Sequence, residues 1–290
     1  EGSGREVKRN YHPYIVIKNS MKEPANAATC RRIAIRRNIF CNWEGRPSQS
    51  YLLIGEDAKE FWEAQEVTVE NNLFLFNTPN PSNGAMTLKC KVRDIEFRAN
   101  TVNGTVVGWI AYAVRCSQER LGLTMENFYI HNNIFSDPKG KMPRLFAGER
   151  DHVREELVLR NNLYWNAGKE FRHYDSVLLR VPGDDARAIV ADPGLADPDN
   201  TRVARWDVKA GRFVSGSRTI RQEFERIVEK YAALPAGSPA VDAGDARHMP
   251  ADDILGRKRD ERPDVGAYER LARPRQTAPA ATSQAAESER

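Results

Sequence analysis

Between residues 33 and 164 one arrangement of apolar and polar positions returns five times. It runs apolar, any, apolar, polar, any, Asn, and then two mostly apolar residues. The copies are Ile33 to Phe40 (IAIRRNIF), Val67 to Phe74 (VTVENNLF), Ile95 to Val102 (IEFRANTV), Phe128 to Phe135 (FYIHNNIF) and Leu157 to Tyr164 (LVLRNNLY). The aligned asparagines, Asn38, Asn72, Asn100, Asn133 and Asn162, are 34, 28, 33 and 29 residues apart. Ile15-Val16-Ile17-Lys18-Asn19 reads as a looser copy ahead of them. Period-two alternation over so short a run specifies a strand with one buried face. Its return every ~30 residues specifies a solenoid.

Other strand-like runs also recur once per repeat: YLLIG at 51–55, AMTLKC at 85–90, WIAYAVRC at 109–116, RLFAG at 144–148 and VLLRV at 177–181. Leucine-rich repeats share the period, but these repeats lack their leucine spacing and helical segment. Unequal spacings fit β-helix coils with loops of different length. The expected fold is therefore all-β, a parallel β-helix of about six coils over residues 1–191. The asparagines mark the bend after a strand, where backbone groups leave the ladder and need partners. An amide carries both donors and acceptors, so stacked asparagines should point inward and bond to one another and to the bend.

From about Asp192 the pattern changes, beginning with turn-rich DPGLADPDN. Residues 219–233 are the best helix candidate: Thr219 and Gln222 make a capping box. Ile220, Phe224, Ile227, Val228 and Tyr231 form one apolar face, suited to covering a side or an end of the solenoid. Residues 192–270 are thus a capping region, and 271–290 have the composition of a disordered tail or linker.

The composition, 40% hydrophobic and 29% charged, is that of a globular protein, and a net charge of +4 gives no argument for nucleic acid. No apolar run is long enough to span a membrane. The chain opens with neither an initiator Met nor a signal peptide and enters a strand-like run at once, so it reads as a cut inside a longer protein. The four cysteines, Cys30, Cys41, Cys90 and Cys116, have no CxxC spacing. Cys90 and Cys116 end two comparable strands, so a disulfide between adjacent coils and a pair of buried thiols both stand open.

DPGLADP, AGSPAVDAGD at 236–245 and DILGRKRDERPDVGAYE at 253–269, together with the NN-apolar coils, carry a resemblance. Over residues 14–269 the chain resembles bacterial right-handed parallel β-helix repeat proteins of the pectate-lyase-like superfamily, including the choice-of-anchor Q group. The resemblance is specific for fold and weak for activity. It implies a secreted or cell-surface protein, and for many relatives a polysaccharide lyase or glycoside hydrolase. In such lyases a Lys or Arg removes the proton next to a uronate carboxylate, and carboxylates often hold calcium.

Two outward columns are candidates for that chemistry. One follows the repeat: Lys18, Arg36, Glu70, Arg98, His131 and Arg160. It reads either as a basic strip for an acidic glycan, with His131 in proton transfer, or as a solvated face in which Glu70 relieves Arg36 and Arg98. The other holds Lys89, Lys91, Arg115 and Arg180, with Glu56, Asp57 and Glu149 at strand ends. Neighbouring cations would lower the pKa of a basic Lys89. Lys89, Arg115 and His131 are therefore the catalytic candidates; Lys91, Arg98, Tyr112 and Trp62 the substrate-binding ones; Glu56 and Asp57 the calcium ligands that the resemblance implies. Of the aromatics Trp43, Trp62, Trp109, Tyr112 and Trp165, Trp62 in the loop FWEAQ is the one expected to stand exposed for stacking on sugars. Asp242, Asp245, Asp252, Asp253 and Asp264 read as calcium-binding loops or as Asx-turns paired with Arg257, Lys258 and Arg259. The expected function is an extracytoplasmic carbohydrate-active protein acting on an acidic polysaccharide, a monomer with no nucleic-acid partner; the alternative is a non-catalytic surface, adhesion or glycan-binding β-helix.

Overall fold

The computed structural model describes residues 13–20, 30–45, 49–57, 59–82, 84–107, 112–117, 125–142, 144–148, 152–172 and 179–271. Trp109, Glu149, the start of VLLRV and residues 272–290 lie outside the described residues. The chain winds five times through three parallel sheets. The first winding is β1 (Ile15–Ile17), β2 (Arg31–Arg36) and β3 (Ile39–Phe40), and the second β4 (Ser50–Ile54), β5 (Ala64–Glu70) and β6 (Leu73–Leu75). The third is β7 (Gly84–Lys89), β8 (Val92–Arg98) and β9 (Thr101–Asn103), and the fourth β10 (Val114–Ser117), β11 (Met125–His131) and β12 (Ile134–Ser136). The fifth is β13 (Phe146–Ala147), β14 (Val153–Arg160) and β15 (Leu163–Trp165), after which β16 (Ile189–Val190) adds one strand to the third sheet. The fold is the parallel β-helix that the repeat predicts, with slightly fewer coils than the expected six.

The asparagines form one column. The amide oxygen of Asn72 accepts from the backbone N and Nδ2 of Asn38, and the same pair of bonds links Asn72 to Asn100, Asn100 to Asn133 and Asn133 to Asn162, all at 2.9–3.1 Å. The column ends on Asp185, whose Oδ2 accepts from Asn162 Nδ2 at 2.7 Å. The residue before each ladder asparagine, Arg37, Asn71, Ala99, Asn132 or Asn161, has φ of 56°, 53°, 48°, 55° or 59°. That left-handed step reverses the side-chain direction, so in each NN pair the first amide points out and the second in; Asn tolerates it better than most residues. Inside, Phe40, Phe74, Phe97, Phe135 and Tyr164 run along the axis with successive ring centroids 4.7–6.2 Å apart.

Two expectations need correction, those for Lys18 and Arg180, and of the two open readings of Cys90 and Cys116 the structure has the buried thiols. Ile15–Ile17 pairs with Leu52–Ile54 in the first sheet, so Lys18 does not belong to the repeat column. Two alternating apolar residues cannot by themselves say which sheet a strand joins. Cys116 sits opposite Leu88 rather than Cys90, because the two strands end at different depths. The four cysteines are free thiols, and burial pushes the Cys116 thiol up to about 12. Leu179 to Val181 is not in a strand, so Arg180 does not join the column of Lys89 and Arg115.

The capping region covers a side of the solenoid. A hairpin, β17 (Trp206–Asp207) and β18 (Arg212–Phe213), leads into α1 (Ile220–Tyr231). Thr219 Oγ1 accepts from the Gln222 amide at 3.1 Å, and the Gln222 side chain returns to the Arg218 amide, one residue before the expected capping-box position. Ile227, Val228 and Tyr231 pack with Leu73 and Leu75 on the outer face of the third sheet, worth roughly 1.5–3 kcal/mol per fully buried side chain. Ile220, expected on that face, is exposed at the first turn. Residues 240–269 then run back along the asparagine bend as a strap. Asn71 donates to Asp252 O, Asn132 to Asp245 O and Asn161 to Ala243 O. At Gly266 (φ 95°) the strap lies so close that a Cβ would meet Ile134 Cδ1 at 2.6 Å.

Candidate functional site

The repeat column lies in register on the second sheet: Arg36 beside Glu70, Glu70 beside Arg98, Arg98 beside His131, His131 beside Arg160. Glu70 accepts from Arg98 Nε at 3.0 Å and Nη2 at 2.9 Å, and lies 4.0 Å from Arg36 Nη1. Arg98 Nη1 is 3.1 Å from Glu96, and Arg160 Nε donates to Asp245 at 2.7 Å. Each arginine therefore faces a carboxylate. The sequence could not show this, because Asp245 arrives from the strap 85 residues on. An array so neutralised is a poor anion track, and its partly exposed pairs add little stability.

His131 is buried beneath that strap. Its ring stacks on His248 with centroids 4.5 Å apart, and its Nδ1 has no hydrogen-bond partner among the described residues. Burial, with His248 and Arg98 adding repulsion against the attraction of Asp245, lowers its pKa from 6.5 to about 4. Between those values the unfolded chain binds a proton that the folded one refuses. Stability is therefore complete above pH 6.5 and falls as the pH drops toward 4, by about 3 kcal/mol for a shift of this size. Burial raises the Asp245 carboxyl most, but the bonds from Arg160 and the Arg247 amide, with the charges of Arg160 and His248, together outweigh it and hold the group below 3.8, so Asp245 titrates beneath that window. Urea unfolding at pH 7.0, 5.5 and 4.5 should show the slope, and His131→Gln should remove about one proton's worth of it. Parallel pH profiles for the two proteins would rule the assignment out.

Lys89 and Arg115 share the outer face of the first sheet, in adjacent coils and two register positions apart, since Lys89 pairs with Ser117 and Arg115 with Thr87. His131 is on a different sheet, so the three catalytic candidates are not brought together. The two carboxylates proposed for calcium hold Lys18: its Nζ is 2.7 Å from Glu56 and 2.9 Å from Asp57, and a metal ion there must displace that ammonium. Buried Glu63 fixes the same loop by accepting from the amides of Glu56, Asp57 and Lys59.

Trp62 and Lys91 do come together. Lys91 Nζ and Arg93 Cζ each lie 4.7 Å from the centre of the Trp62 ring, and Arg93 Nε is held by Gln65 at 2.7 Å. Glu63, next to Trp62, donates its backbone N–H to Lys91 O at 2.8 Å, which fixes the two segments side by side. Sequence reading missed Arg93, which alternation on β8 signals as outward. Tyr112 sits elsewhere, with the Arg144 guanidinium 5.0 Å over its ring, and Arg98 belongs to the ion-pair array.

A cleft of about 460 Å³ opens where the coils end. Tyr164, Trp165, Asn166, Lys169, Glu170, Phe171, Arg180, Val181, Pro182 and Val190 contribute to its walls. Periodicity cannot find such a place, because it forms where the repeat stops. The tail aspartates make turns and ion pairs, among them the two bonds that the Arg257 guanidinium donates to Asp253. Among the described residues no three His, Cys, Asp or Glu side chains gather as a metal group, and no helix is long and apolar enough to cross a membrane. No protein-family model matches the chain, and no curated protein is significantly similar to it.

Proposed function

We propose that this chain is a non-catalytic, glycan-binding β-helix that holds an acidic polysaccharide on its outer surface, outside the cytoplasm. The observation that carries this reading is the Trp62 ring flanked by Lys91 and Arg93. The half-buried Trp62 ring offers apolar surface to a pyranose beside the two cations that lie over it, and those cations suit a uronate carboxylate. A solenoid interior filled with side chains leaves only the outside for a polymer. The separation of His131 from Lys89 and Arg115 argues against one catalytic centre built from all three.

Calorimetric titration of polygalacturonate, alginate and a glycosaminoglycan against neutral dextran tests it. The acidic polymers should bind, more weakly as salt rises. Lys91→Ala should weaken binding at least tenfold, since a charge-assisted contact is worth ~1.5–3 kcal/mol, and Trp62→Ala up to about tenfold through the lost aromatic contact, worth ~0.5–1.5 kcal/mol. Binding of dextran alone, or no binding, would overturn the proposal. An unsaturated product absorbing in the ultraviolet, with or without calcium, and lost in Lys89→Ala or Arg115→Ala, would make the protein a lyase instead.

A further inference from the structure

We infer that the cleft at the end of the coils is a second binding site, selective for a short saccharide carrying a carboxylate. The inference rests on the acidic-glycan reading above but on different residues. The site arises from how the solenoid stops. The inward aromatic column ends at Tyr164, and β16 places Val190 beside it, 63% exposed. Since β16 ends at Val190, Trp165 has no strand partner on that side. Phe171, Val181 and Pro182 complete an apolar wall where a regular coil would have been covered by the next. A cleft of about 460 Å³ lies within the usual range for small-molecule sites.

The polar groups define what fits. Asn166 is 4% exposed, and its Oδ1 has no hydrogen-bond partner among the described residues, although its Nδ2 reaches Met142 O at 3.4 Å. A buried acceptor left unpaired is costly, and a ligand hydroxyl would satisfy it. Lys169 donates to Gly140 O at 3.1 Å, leaving two ammonium protons for another acceptor. Arg180 stands exposed at the rim; its backbone N–H donates to Asp184 at 2.8 Å, and among the described residues its guanidinium makes no ion pair. A guanidinium fork binds a carboxylate through two parallel bonds. Glu170 lies on the same rim and can accept from a hydroxyl. Apolar wall, buried acceptor, two cations and one carboxylate together fit a sugar acid better than a neutral sugar or a purely apolar molecule.

Digalacturonate and its neutral counterpart galactobiose are the probes, titrated into the full chain by calorimetry. Digalacturonate should bind the wild type at least tenfold more tightly than galactobiose does. Arg180→Glu, a surface change that leaves the fold intact, should weaken it at least tenfold, and Asn166→Ala should do so more mildly. Trp62→Ala should leave digalacturonate binding unchanged, while Arg180→Glu should leave polygalacturonate binding at the Trp62 surface in place. Equal affinity for both disaccharides, insensitivity to Arg180→Glu, or no disaccharide binding by a protein that still holds the polymer would overturn this inference alone. Disaccharide binding without Trp62-dependent polymer binding would instead overturn the surface reading.

Discussion

Arg259→Met should cost ~3–5 kcal/mol, one of the two largest effects expected of any single substitution in this protein. Arg259 is 6% exposed, and its guanidinium uses all five of its N–H groups. Nε donates to Asp252 O at 3.1 Å; Nη1 to Asp264 O at 3.1 Å and Glu269 at 2.9 Å; Nη2 to Asn71 Oδ1 at 3.0 Å and Gly266 O at 2.7 Å. Four of these acceptors belong to the strap and one to the second winding, so this side chain both shapes the strap and fastens it to the coils. Methionine fills much of the volume but strands a buried carboxylate at Glu269, whose pKa burial already raises. The double change Arg259→Met, Glu269→Leu should recover part of the loss, because desolvating two charges is itself expensive. Urea unfolding of the wild type, Arg259→Met, Glu269→Leu and the double variant gives the coupling. Hydrogen exchange should show protection lost first in residues 240–269, the segment that the Arg259 side chain fastens to the coils. A loss under ~1 kcal/mol for Arg259→Met would mean that the strap does not depend on this anchor.

The same residue shows what a sequence can and cannot disclose. Alternation at Val67 and Val69, or Ile95 and Phe97, is readable because burial on one face of a strand acts within a few residues. The asparagine repeat is readable because each copy meets the same backbone problem at the same bend. That Asn71 and Asn132 also point outward to grip the strap was not readable. Their partners lie 181 and 113 residues away and follow no period. Charge columns failed for the same reason: Arg160 reads as a free cation until Asp245 is folded against it. The Trp62–Lys91 contact was half legible, since both residues drew notice, but not that neighbouring coils would place them together. The end cleft was the least legible. Arg180 reads as part of a strand column from its alternating neighbours, and Trp165 reads as an aromatic not expected to stand exposed, because alternation cannot show where the coils stop.

Asn100→Ala should destabilise the solenoid by ~3 kcal/mol or more, since one side chain makes four buried hydrogen bonds worth ~0.5–1.5 kcal/mol each, and its loss leaves the buried Asn72 backbone N–H without its acceptor. Its Oδ1 accepts from the backbone N and Nδ2 of Asn72, both at 3.0 Å. Its Nδ2 donates to Val69 O at 2.8 Å and Asn133 Oδ1 at 3.1 Å. Position should matter as much as chemistry. Asn38 begins the column and is partly exposed; its Nδ2 reaches only Arg36 O and Asn72 Oδ1, so Asn38→Ala should cost ~1 kcal/mol. The far end shows why the interior of the column needs an amide. Asp185 accepts from the backbone amides of Asn161, Asn162 and Arg187, from Asn162 Nδ2 and from the Tyr164 hydroxyl. A carboxylate works there because every neighbour is a donor. At Asn100 it would face two acceptors, Val69 O and Asn133 Oδ1, so Asn100→Asp should be worse than Asn100→Ala at neutral pH and should improve as the pH falls and the acid becomes a donor. Unfolding midpoints for the three variants at pH 7 and pH 4.5, each compared with wild type at the same pH, decide it. Equal losses at Asn38 and Asn100, or an Asn100→Asp protein no worse than Asn100→Ala at neutral pH, would show that the column is stabilised by packing rather than by its hydrogen bonds.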